Sequence, residues 1–555
     1  MLGGRKHSQN LTLIIQSYCN FWSISTFILA ATLICPFIAL ILLSTGDSEG
    51  LWDHLLATVV PRYTVNTLFL MTGVGFFSLL FGISTAWIIA RFKFPCSKIL
   101  EWSLLLPCTV PSYIIAYTYT DLLEYAGPVQ SLLRDIFSWS SAQDYWFPEI
   151  RSMGGAILVM SSVLFPYIYL LARTSFRETS RSYFELTKLH RPSSKVFIDI
   201  ALARPAIIAG LSLVLMEVLS DFGTVEYFAV ETITLGIFNV WLGMNNLVAA
   251  SQIAGLAFIF IISLILIERW ARKRQRFSDT TKSKHIIKPI YPTKPQQFLC
   301  IIVCFLPILL GFIIPISILL NFVLKGFSIV DFENLRPALY NSLLLSSAVA
   351  IIVMMTSWSM VITITYKKQR ILGVFSTLST LGYAFPGAIL AIGVVSFAGF
   401  IDKFSEYAYQ ETEIGLFNNF LIGGIILLVI ACVVRFQAVG HGAIFSGIQK
   451  LSPNIMEAAV TLNRSFSASV LNLSPPLLSK SILAGSILVF VDVMKELPMT
   501  LLLRPFNYET LATYVYQFAK DELLEETALA AIIIIFAGLG PIILLNKYQQ
   551  NSNKT

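Results

Sequence analysis

Long apolar runs alternate with short polar loops along the 555 residues of this chain. Runs of about 20 apolar residues are long enough to cross a bilayer as helices. A hydropathy reading predicts twelve such spans, at 24–45, 65–90, 99–120, 154–172, 205–225, 248–267, 298–323, 341–365, 375–399, 416–434, 481–503 and 528–546. The pattern indicates an all-α integral membrane protein.

Composition supports this class of protein, because 56% of the residues are hydrophobic and 13% are charged, with a mean hydropathy of +0.73. The net charge of +7 comes largely from Lys and Arg in the loops after even-numbered spans, so it does not indicate nucleic-acid binding. By the positive-inside rule, this bias places both termini in the cytoplasm. The first apolar run is long and no small-residue cleavage site follows it, so we expect no cleavable signal peptide.

Residue patterns recur along the chain at a constant offset of 275 positions. The recurring positions are Asn66-Thr67 with Asn341-Ser342, Pro111 with Pro386, Glu217 with Asp492, and Asp221 with Glu496. We therefore predict two homologous halves, at 24–267 and 298–546, each with six spans. A basic cytoplasmic linker at 268–297 joins them, and cytoplasmic segments at 1–23 and 547–555 flank them. Because both halves begin and end inside, the repeat is parallel and its axis runs along the membrane normal.

A polar island interrupts the apolar sequence between spans ten and eleven, inside a cytoplasmic loop that we predict at 436–480. A short helix is predicted to start there, since Ser452 suits its N-cap and Pro453 suits its first turn. The residues that follow include Glu457, Ala458, Ala459 and Asn463. The two alanines leave a flat face that another protein can approach closely. We interpret the island as a docking site for a cytoplasmic partner, and an ordinary re-entry loop is the alternative.

The corresponding loop of the first half, predicted at 174–204, differs from this one. It carries Glu185, but no pair of small residues follows. Glu185 lies 32 residues before Glu217, whereas Glu457 lies 35 residues before Asp492, so the first loop is also shorter. We therefore expect the two loops to dock a partner unequally.

Acidic residues lie inside two predicted spans, where each costs about 2.5–3.5 kcal/mol on insertion scales. They are Glu217 and Asp221 in span five and Asp492 and Glu496 in span eleven. Each pair is spaced i,i+4 and is predicted to share a helix face, with Lys495 near enough to offset the charge of Asp492. We interpret these residues as lining a transport pathway for a hard cation that prefers oxygen ligands. The alternative is a structural or gating role, in which salt bridges and hydrogen bonds orient the two spans and reach Arg504.

Two further groups of residues lie near the third span. Pro107 and Pro111 predict a kinked or partly unwound helix, which is tolerated only where it lines a cavity or packs on protein, and Pro386 predicts the same in the second half. Tyr113, Tyr117 and Tyr119 lie near the end of this span, close to Asp121. Their phenolic oxygens are candidate ligands, but the stronger expectation is an interfacial aromatic belt, which we also predict for Trp52, Trp102, Trp146 and Trp241.

Several chemistries have no sequence support. The seven cysteines form no CxxC pair and the five histidines are scattered, so no zinc-type cluster is predicted. No nucleophile or metal set indicates a membrane enzyme. The chain has no GxxxxGK[ST] phosphate-binding loop, so we expect it to bind no cofactor of its own and any ATP to be used by a partner.

Four motifs identify a family that this chain resembles. They are Glu457-Ala458-Ala459 with Asn463 in the usual glycine place and Pro475-Pro476 beyond it, Met216–Phe228 (MEVLSDFGTVEYF), Val491–Phe506 (VDVMKELPMTLLLRPF), and Tyr145–Ser152 (YWFPEIRS). Together, from about residue 58 to 546, they resemble the fused two-domain permease of bacterial ferric-iron ABC importers. The departures are Asn463 in place of glycine and the altered first loop.

The resemblance implies a type I ABC importer permease in the bacterial inner membrane, surrounded by lipid and without a nucleic-acid partner. A periplasmic iron-binding protein is expected to deliver Fe3+ to the outer face. Two copies of a separate ATPase, carrying Mg-ATP, are expected to bind the two cytoplasmic loops and drive alternating access. No residue is assigned as a firm metal ligand.

Other functions stay open at this level. An ABC importer for another metal, an inorganic anion or thiamine would share the architecture. An ion-coupled secondary transporter would also show repeats and buried carboxylates, but it gives no reason for the Glu457-Ala458-Ala459 docking site.

Overall fold

A computed structural model gives the fold, and it describes residues 20–178, 195–273, 290–326, 332–412, 424–452, 455, 461 and 465–552. These residues form helices and connecting turns, with one isolated bridge between Phe92 and Ile290 and no strand among them. The prediction of an all-α protein is confirmed.

The α-helices of the described residues are numbered here in chain order. They are α1 Phe21–Ser44, α2 Leu51–Thr58, α3 Val60–Arg91, α4 Ser97–Ser103, α5 Ser112–Leu123, α6 Pro128–Phe137, α7 Met153–Glu178, α8 Lys195–Ser220, α9 Gly223–Tyr227, α10 Ile233–Phe238, α11 Leu247–Lys273, α12 Lys294–Ile308, α13 Ile314–Gly326, α14 Phe332–Lys367, α15 Arg370–Ser379, α16 Gly387–Thr412, α17 Ile425–Ile448, α18 Phe466–Met494, α19 Pro498–Leu503, α20 Leu511–Lys520 and α21 Leu524–Ser552.

The number of membrane-spanning helices is close to the predicted twelve. Within the described residues, eleven helices are long and apolar enough to cross a bilayer, counting α12 and α13 as one span. The segment from α4 to α6 makes a twelfth if its bent parts form one span. The multi-pass prediction is therefore confirmed.

The third span is broken where its two prolines lie. A 3₁₀ turn at Leu106–Thr109 follows α4, Val110 is extended, and α5 starts directly after Pro111. The helical axes on the two sides of the break differ by 93°. Proline lacks an N–H group and clashes with the preceding turn, which explains the break. The chain is interrupted in the same way between α15 and α16, before Pro386.

The chain divides into two compact units that do not coincide with the predicted sequence halves. Unit A comprises Asp47–Leu335 and Leu511–Thr555, and unit B comprises Met1–Gly46 and Arg336–Thr510. The end helices are therefore exchanged: the first span belongs to unit B, and the last span belongs to unit A. Hydropathy could not reveal this, because it locates a span without indicating which helices pack against it. The homology of the halves stays a prediction.

Unit A is built around α3, α7 and α8. Phe165, Tyr169 and Phe176 of α7 are fully buried in a core that α12 completes with Cys304. The turn between α12 and α13 approaches α7 so closely that a Cβ at Gly311 would lie 2.3 Å from the Ser162 carbonyl oxygen. Only glycine fits there.

Unit B is built around α14, α17 and α18, with α1 packed on it. The indole of Trp22 donates a hydrogen bond to Ser467 Oγ at 2.9 Å and stacks edge-on against Trp358, with ring centroids 6.0 Å apart. Further along α1, Phe37 packs against Phe385 with ring centroids 5.0 Å apart. These contacts tie the first span to the predicted second half.

Helices extend further into the predicted loops than hydropathy indicates. The loop predicted at 436–480 is helical at both ends, because α17 continues to Ile448 and α18 starts at Phe466. Hydropathy marks the part of a helix that lies in hydrocarbon, whereas caps set its ends; here Ser465 Oγ accepts a hydrogen bond from the Ala468 N–H at 3.2 Å. The loop at 174–204 and the linker at 268–297 are likewise shortened at both ends by α7, α8, α11 and α12.

Candidate functional site

The first acidic pair lies where α8 ends in unit A. Asp221 follows the last residue of α8, so it sits in a break rather than on the helix face that the i,i+4 spacing predicted. Its carboxylate accepts hydrogen bonds from Ser112 Oγ at 2.5 Å, Thr224 Oγ1 at 2.9 Å, and the backbone N–H groups of Thr224 and Val225 at 3.0 and 3.2 Å. Asp221 thereby caps α9 and fastens α5, directly after Pro111, to the end of α8.

The second acidic pair lies at the corresponding place in unit B, with Asp492 in the last turn of α18 and Glu496 just beyond its end. Glu496 Oε1 accepts a hydrogen bond from the Met499 N–H at 3.1 Å at the start of α19. Its other oxygen lies 3.4 Å from Arg435 Nε of α17. Both side chains are buried, with residue exposures of 6% and 8%. The prediction that Glu217, Asp221, Asp492 and Glu496 line a transport pathway did not include this arginine.

Gly387 makes room for the ion pair. It stands 275 positions after Ser112, and a Cβ there would lie 2.5 Å from Arg435 Nη1 and 2.7 Å from Glu496 Oε1. The residue 275 positions before Arg435 is Met160. Unit A therefore holds its carboxylate with a hydroxyl group, and unit B holds its carboxylate with a guanidinium group.

The remaining predicted pathway residues are less enclosed. Glu217 and Asp492 are partly buried, each about one turn before the break. Asp492 lies within electrostatic range of Lys495, Arg435 and Glu496, so the prediction that Lys495 offsets its charge agrees with the arrangement. Two basic groups thus accompany the two acidic groups of unit B.

These contacts favour the structural or gating alternative for Asp221 and Glu496. Arg504 is not the partner that the sequence suggested, since it forms an ion pair with Glu509. The sequence analysis missed Arg435 because the apolar residues around it predict only a membrane span. A single arginine inside such an apolar run is itself a sign of a functional or paired residue, and it could have identified Arg435. Within the described residues, no three His, Cys, Asp or Glu side chains group as a metal site. The pathway assignment stays a prediction.

The tyrosines near the end of the third span do not face lipid. Tyr113, Tyr117 and Tyr119 are 4%, 3% and 4% exposed, so the interfacial-belt prediction is wrong for them. The neighbouring helices of unit A enclose α5, and the Tyr119 hydroxyl donates to the Leu310 carbonyl at 2.9 Å. Trp146 is 86% exposed. The belt prediction for the tryptophans stays untested.

The candidate ATPase-docking residues lie outside the described residues. They are Glu185, Glu457, Ala458, Ala459 and Asn463. The structure does describe the helices on either side, namely α7 and α8 around the first loop and α17 and α18 around the second.

A buried ion pair fixes the start of α8, just beyond the first loop. Arg91, at the end of α3, donates to Asp199 through Nε at 2.9 Å and through Nη2 at 2.5 Å. The indole of Trp87 donates to the same carboxylate at 3.1 Å. Asp199 is fully buried and Arg91 is 3% exposed. The backbone of Arg91 also accepts a hydrogen bond from the Ile290 N–H at 2.8 Å, which anchors the end of the linker here.

The recurring asparagines make the same kind of contact in each unit. Asn66 Nδ2 donates to the Glu231 carbonyl at 3.1 Å in unit A, and Asn341 Nδ2 donates to the Glu509 carbonyl at 2.9 Å in unit B. In unit B, the Tyr508 hydroxyl donates back to the Asn341 carbonyl at 3.1 Å. Burial raises the pKa of Tyr508 to about 12, so it remains a donor at physiological pH. These bonds hold the loops that follow the two breaks.

Comparison with known proteins places the chain near ferric permeases. No protein-family profile matches it. It is 24% identical over 544 residues to the Fe(3+)-transport system permease protein FbpB 2 of Haemophilus influenzae, covering 95% of this chain and 98% of that protein. It is 19% identical over 483 residues to the ferric transport system permease protein FbpB of Actinobacillus pleuropneumoniae, covering 83% and 67%.

A shorter similarity involves a permease for a different solute. The sulfate transport system permease protein CysT of Salmonella typhimurium is 27% identical over 246 residues, which is 42% of this chain and 84% of that protein. The resemblance to ferric ABC-importer permeases, inferred from motifs, is confirmed by the near-full-length match.

Proposed function

We propose that this chain is the transmembrane permease of an ATP-driven ABC importer and that its solute is ferric iron. The observation that carries the proposal is the near-complete overlap, in both directions, with a permease named for Fe(3+) transport. The chain serves as a transport subunit, and a separate ATPase supplies hydrolysis.

The fold suits alternating access at the two breaks. In unit A, Asp221 joins the end of α8 to Ser112, directly after the Pro111 break. In unit B, Glu496 joins the end of α18 to Arg435 of α17, beside Gly387 and the Pro386 break. Such breaks interrupt helical hydrogen bonding and concentrate bending. Driving a two-state equilibrium from 1:99 to 99:1 requires about 5.5 kcal/mol of differential binding, which ATP engagement by the partner would supply.

The partners act on opposite sides of the membrane. Two copies of the ATPase would dock on the cytoplasmic loops around Glu185 and Glu457, with both termini of the chain on the same side. A periplasmic iron-binding protein would dock on the outer face. In unit A the segment between α5 and α7 forms a groove of about 750 Å³, lined by Tyr125, Trp146 and Arg151 among others. An exposed tryptophan beside a groove is a favourable anchor for a protein partner.

An oxyanion importer is the second candidate. The sulfate permease relative favours it, as do the basic groups Arg435 and Lys495 beside the acids of unit B. The ferric relatives match far more of the chain, which is why iron is preferred.

The test is solute uptake in iron-starved cells that lack this chain, with the chain restored beside its ATPase and binding protein. We expect ferric-iron uptake to return only with an intact ATPase, and sulfate uptake to be unchanged. If sulfate uptake returns and iron uptake does not, the transported solute is sulfate rather than ferric iron. Iron uptake that is indifferent to the ATPase would overturn the importer assignment.

A further inference from the structure

Four oxygen-bearing side chains gather inside unit A, and three of them lie on α5 and α9, the two short helices that Asp221 holds. We call Tyr117, Tyr227, Glu226 and Tyr516 the tyrosine–glutamate cluster. Tyr117 comes from α5, Glu226 and Tyr227 from α9, and Tyr516 from α20. The rings of Tyr117 and Tyr227 are 4.4 Å apart, and Tyr117 is within electrostatic range of both Tyr516 and Glu226.

Tyr117 provides an unused ligand atom. Its side chain is only 3% exposed, and its hydroxyl has no hydrogen-bond partner among the described residues. Leaving a buried hydroxyl without a partner is unfavourable, because the group loses its hydrogen bonds to water. Tyr119, two residues along the same helix, has its hydroxyl bonded to the Leu310 carbonyl. The hydroxyls of Tyr117 and Tyr119 therefore differ, although both side chains are buried on the same helix.

Glu226 is held by groups that a metal ion can displace. It accepts hydrogen bonds from the Tyr516 hydroxyl and, at 3.1 Å, from Lys520 Nζ. The Lys520 side chain is 62% exposed, so it can turn into solvent when another cation approaches the carboxylate. The other nearby cation, Arg151, lies 5.0 Å from the centroid of the Tyr227 ring and is already paired with Glu124 and Glu522.

The fold does not require polar residues at these positions. The residues 275 positions after Tyr117 and Glu226 are Ile392 and Leu501, which are apolar. Ionisable groups within a membrane protein are costly and tend to mark solute or ion pathways. Polar groups at Tyr117 and Glu226, where the second half carries aliphatic side chains, are better explained by a ligand than by packing.

We propose that the tyrosine–glutamate cluster binds a hard trivalent metal cation through the phenolate oxygens of Tyr117 and Tyr516 and the carboxylate of Glu226. Hard cations prefer oxygen ligands. Metal binding would release the two phenolic protons to water and Lys520 to solvent. Naming the ion as ferric iron rests on the proposed function. The site would hold the ion transiently, since the neighbouring carboxylate of unit A, Asp221, is already engaged by protein groups.

The test is a spectrum of the full-length purified chain in lipid nanodiscs, titrated with ferric citrate. A bound phenolate gives a visible phenolate-to-iron charge-transfer band, which a purely structural tyrosine does not. We expect the band in the unmodified chain, and about tenfold or greater weakening of Fe3+ binding in Tyr117→Phe and in Tyr516→Phe. Tyr119→Phe is the matched control and should keep the band. No band in the unmodified chain, or an unchanged band in both variants, would overturn the site.

Uptake measurements separate this site from the transport assignment. In cells with the ATPase and binding protein, the Tyr117→Phe/Tyr516→Phe double variant and Glu226→Gln should take up iron at about one tenth of the normal rate or less. Normal uptake by the double variant would reject the site while leaving the importer intact. A charge-transfer band that depends on Tyr117 and Tyr516, in a chain that restores no iron uptake, would retain the site and reject the solute.

Discussion

At the scale of single residues, the two units hold a carboxylate at the same kind of break by different means. Asp221 is held by neutral donors, and Glu496 is held by Arg435. The difference affects stability, because removing one member of a buried ion pair leaves a charge without compensation.

Arg435→Met introduces the residue that stands 275 positions earlier, Met160. We expect a loss of about 3–5 kcal/mol in the free energy of unfolding, since Glu496 would stay charged and buried. Thermal unfolding of the purified chain measures this. Arg435→Met/Glu496→Gln should recover most of the loss. A double variant no more stable than Arg435→Met alone would show that the arginine acts elsewhere.

Ser112→Ala removes one of the donors to Asp221. Because three other donors remain, we expect a smaller cost of about 1–2 kcal/mol, again measured by thermal unfolding. Ser103→Ala is the control, since among the described residues that hydroxyl bonds to the Ile99 carbonyl of its own helix. Equal losses of stability in the two variants would mean that the Ser112–Asp221 hydrogen bond contributes no more to the free energy of unfolding than a bond within one helix.

The sequence identified the acidic residues but not the groups that hold them. Glu217 and Asp221 were found because charge inside an apolar run is conspicuous. Ser112 and Arg435 were not, since each meets its carboxylate from a different helix and no local spacing encodes such contacts. Likewise, Tyr117 lay in a run typical of an aromatic belt, and only the packing around α5 showed it to be buried.

At the scale of elements, proline positions and hydropathy predicted most of the architecture. They located the spans and the breaks before α5 and α16. They misplaced the ends of α17 and α18, where polar residues continue the helix beyond the apolar stretch. They also could not locate the Arg91–Asp199 pair, which joins two helices separated by a long stretch of sequence.

Asp199→Asn tests how that pair supports the first cytoplasmic loop. We expect about 3–5 kcal/mol lower stability, because the Arg91 guanidinium would stay buried without its carboxylate. Since α8 begins at the end of this loop, ATP-dependent uptake should also fall. Arg91→Met/Asp199→Leu should regain stability. If uptake stays normal in Asp199→Asn despite the lost stability, the pair does not contribute to coupling.

At the scale of the whole molecule, transport depends on a partner that uses ATP. Ala459→Asp should abolish ATP-dependent uptake by placing a charge on the docking face while leaving the chain inserted in the membrane. Gln449→Asp is the control, because Gln449 is exposed at the end of α17. Uptake and co-purification of the ATPase are the measurements. If the Ala459→Asp variant still co-purifies with the ATPase and takes up solute normally, Ala459 is not part of the docking site.

The exchange of end helices has a consequence for how the protein is made. Since α1 precedes the helices of unit A in the chain but packs in unit B, it must wait in the membrane until α14 to α18 have been synthesised. Unit A stays incomplete until α20 and α21, which follow unit B in the chain, have been synthesised. Such sequence-distant contacts slow folding and prolong the life of partly assembled intermediates. Neither predicted half, expressed as a separate polypeptide, would contain the whole of either core.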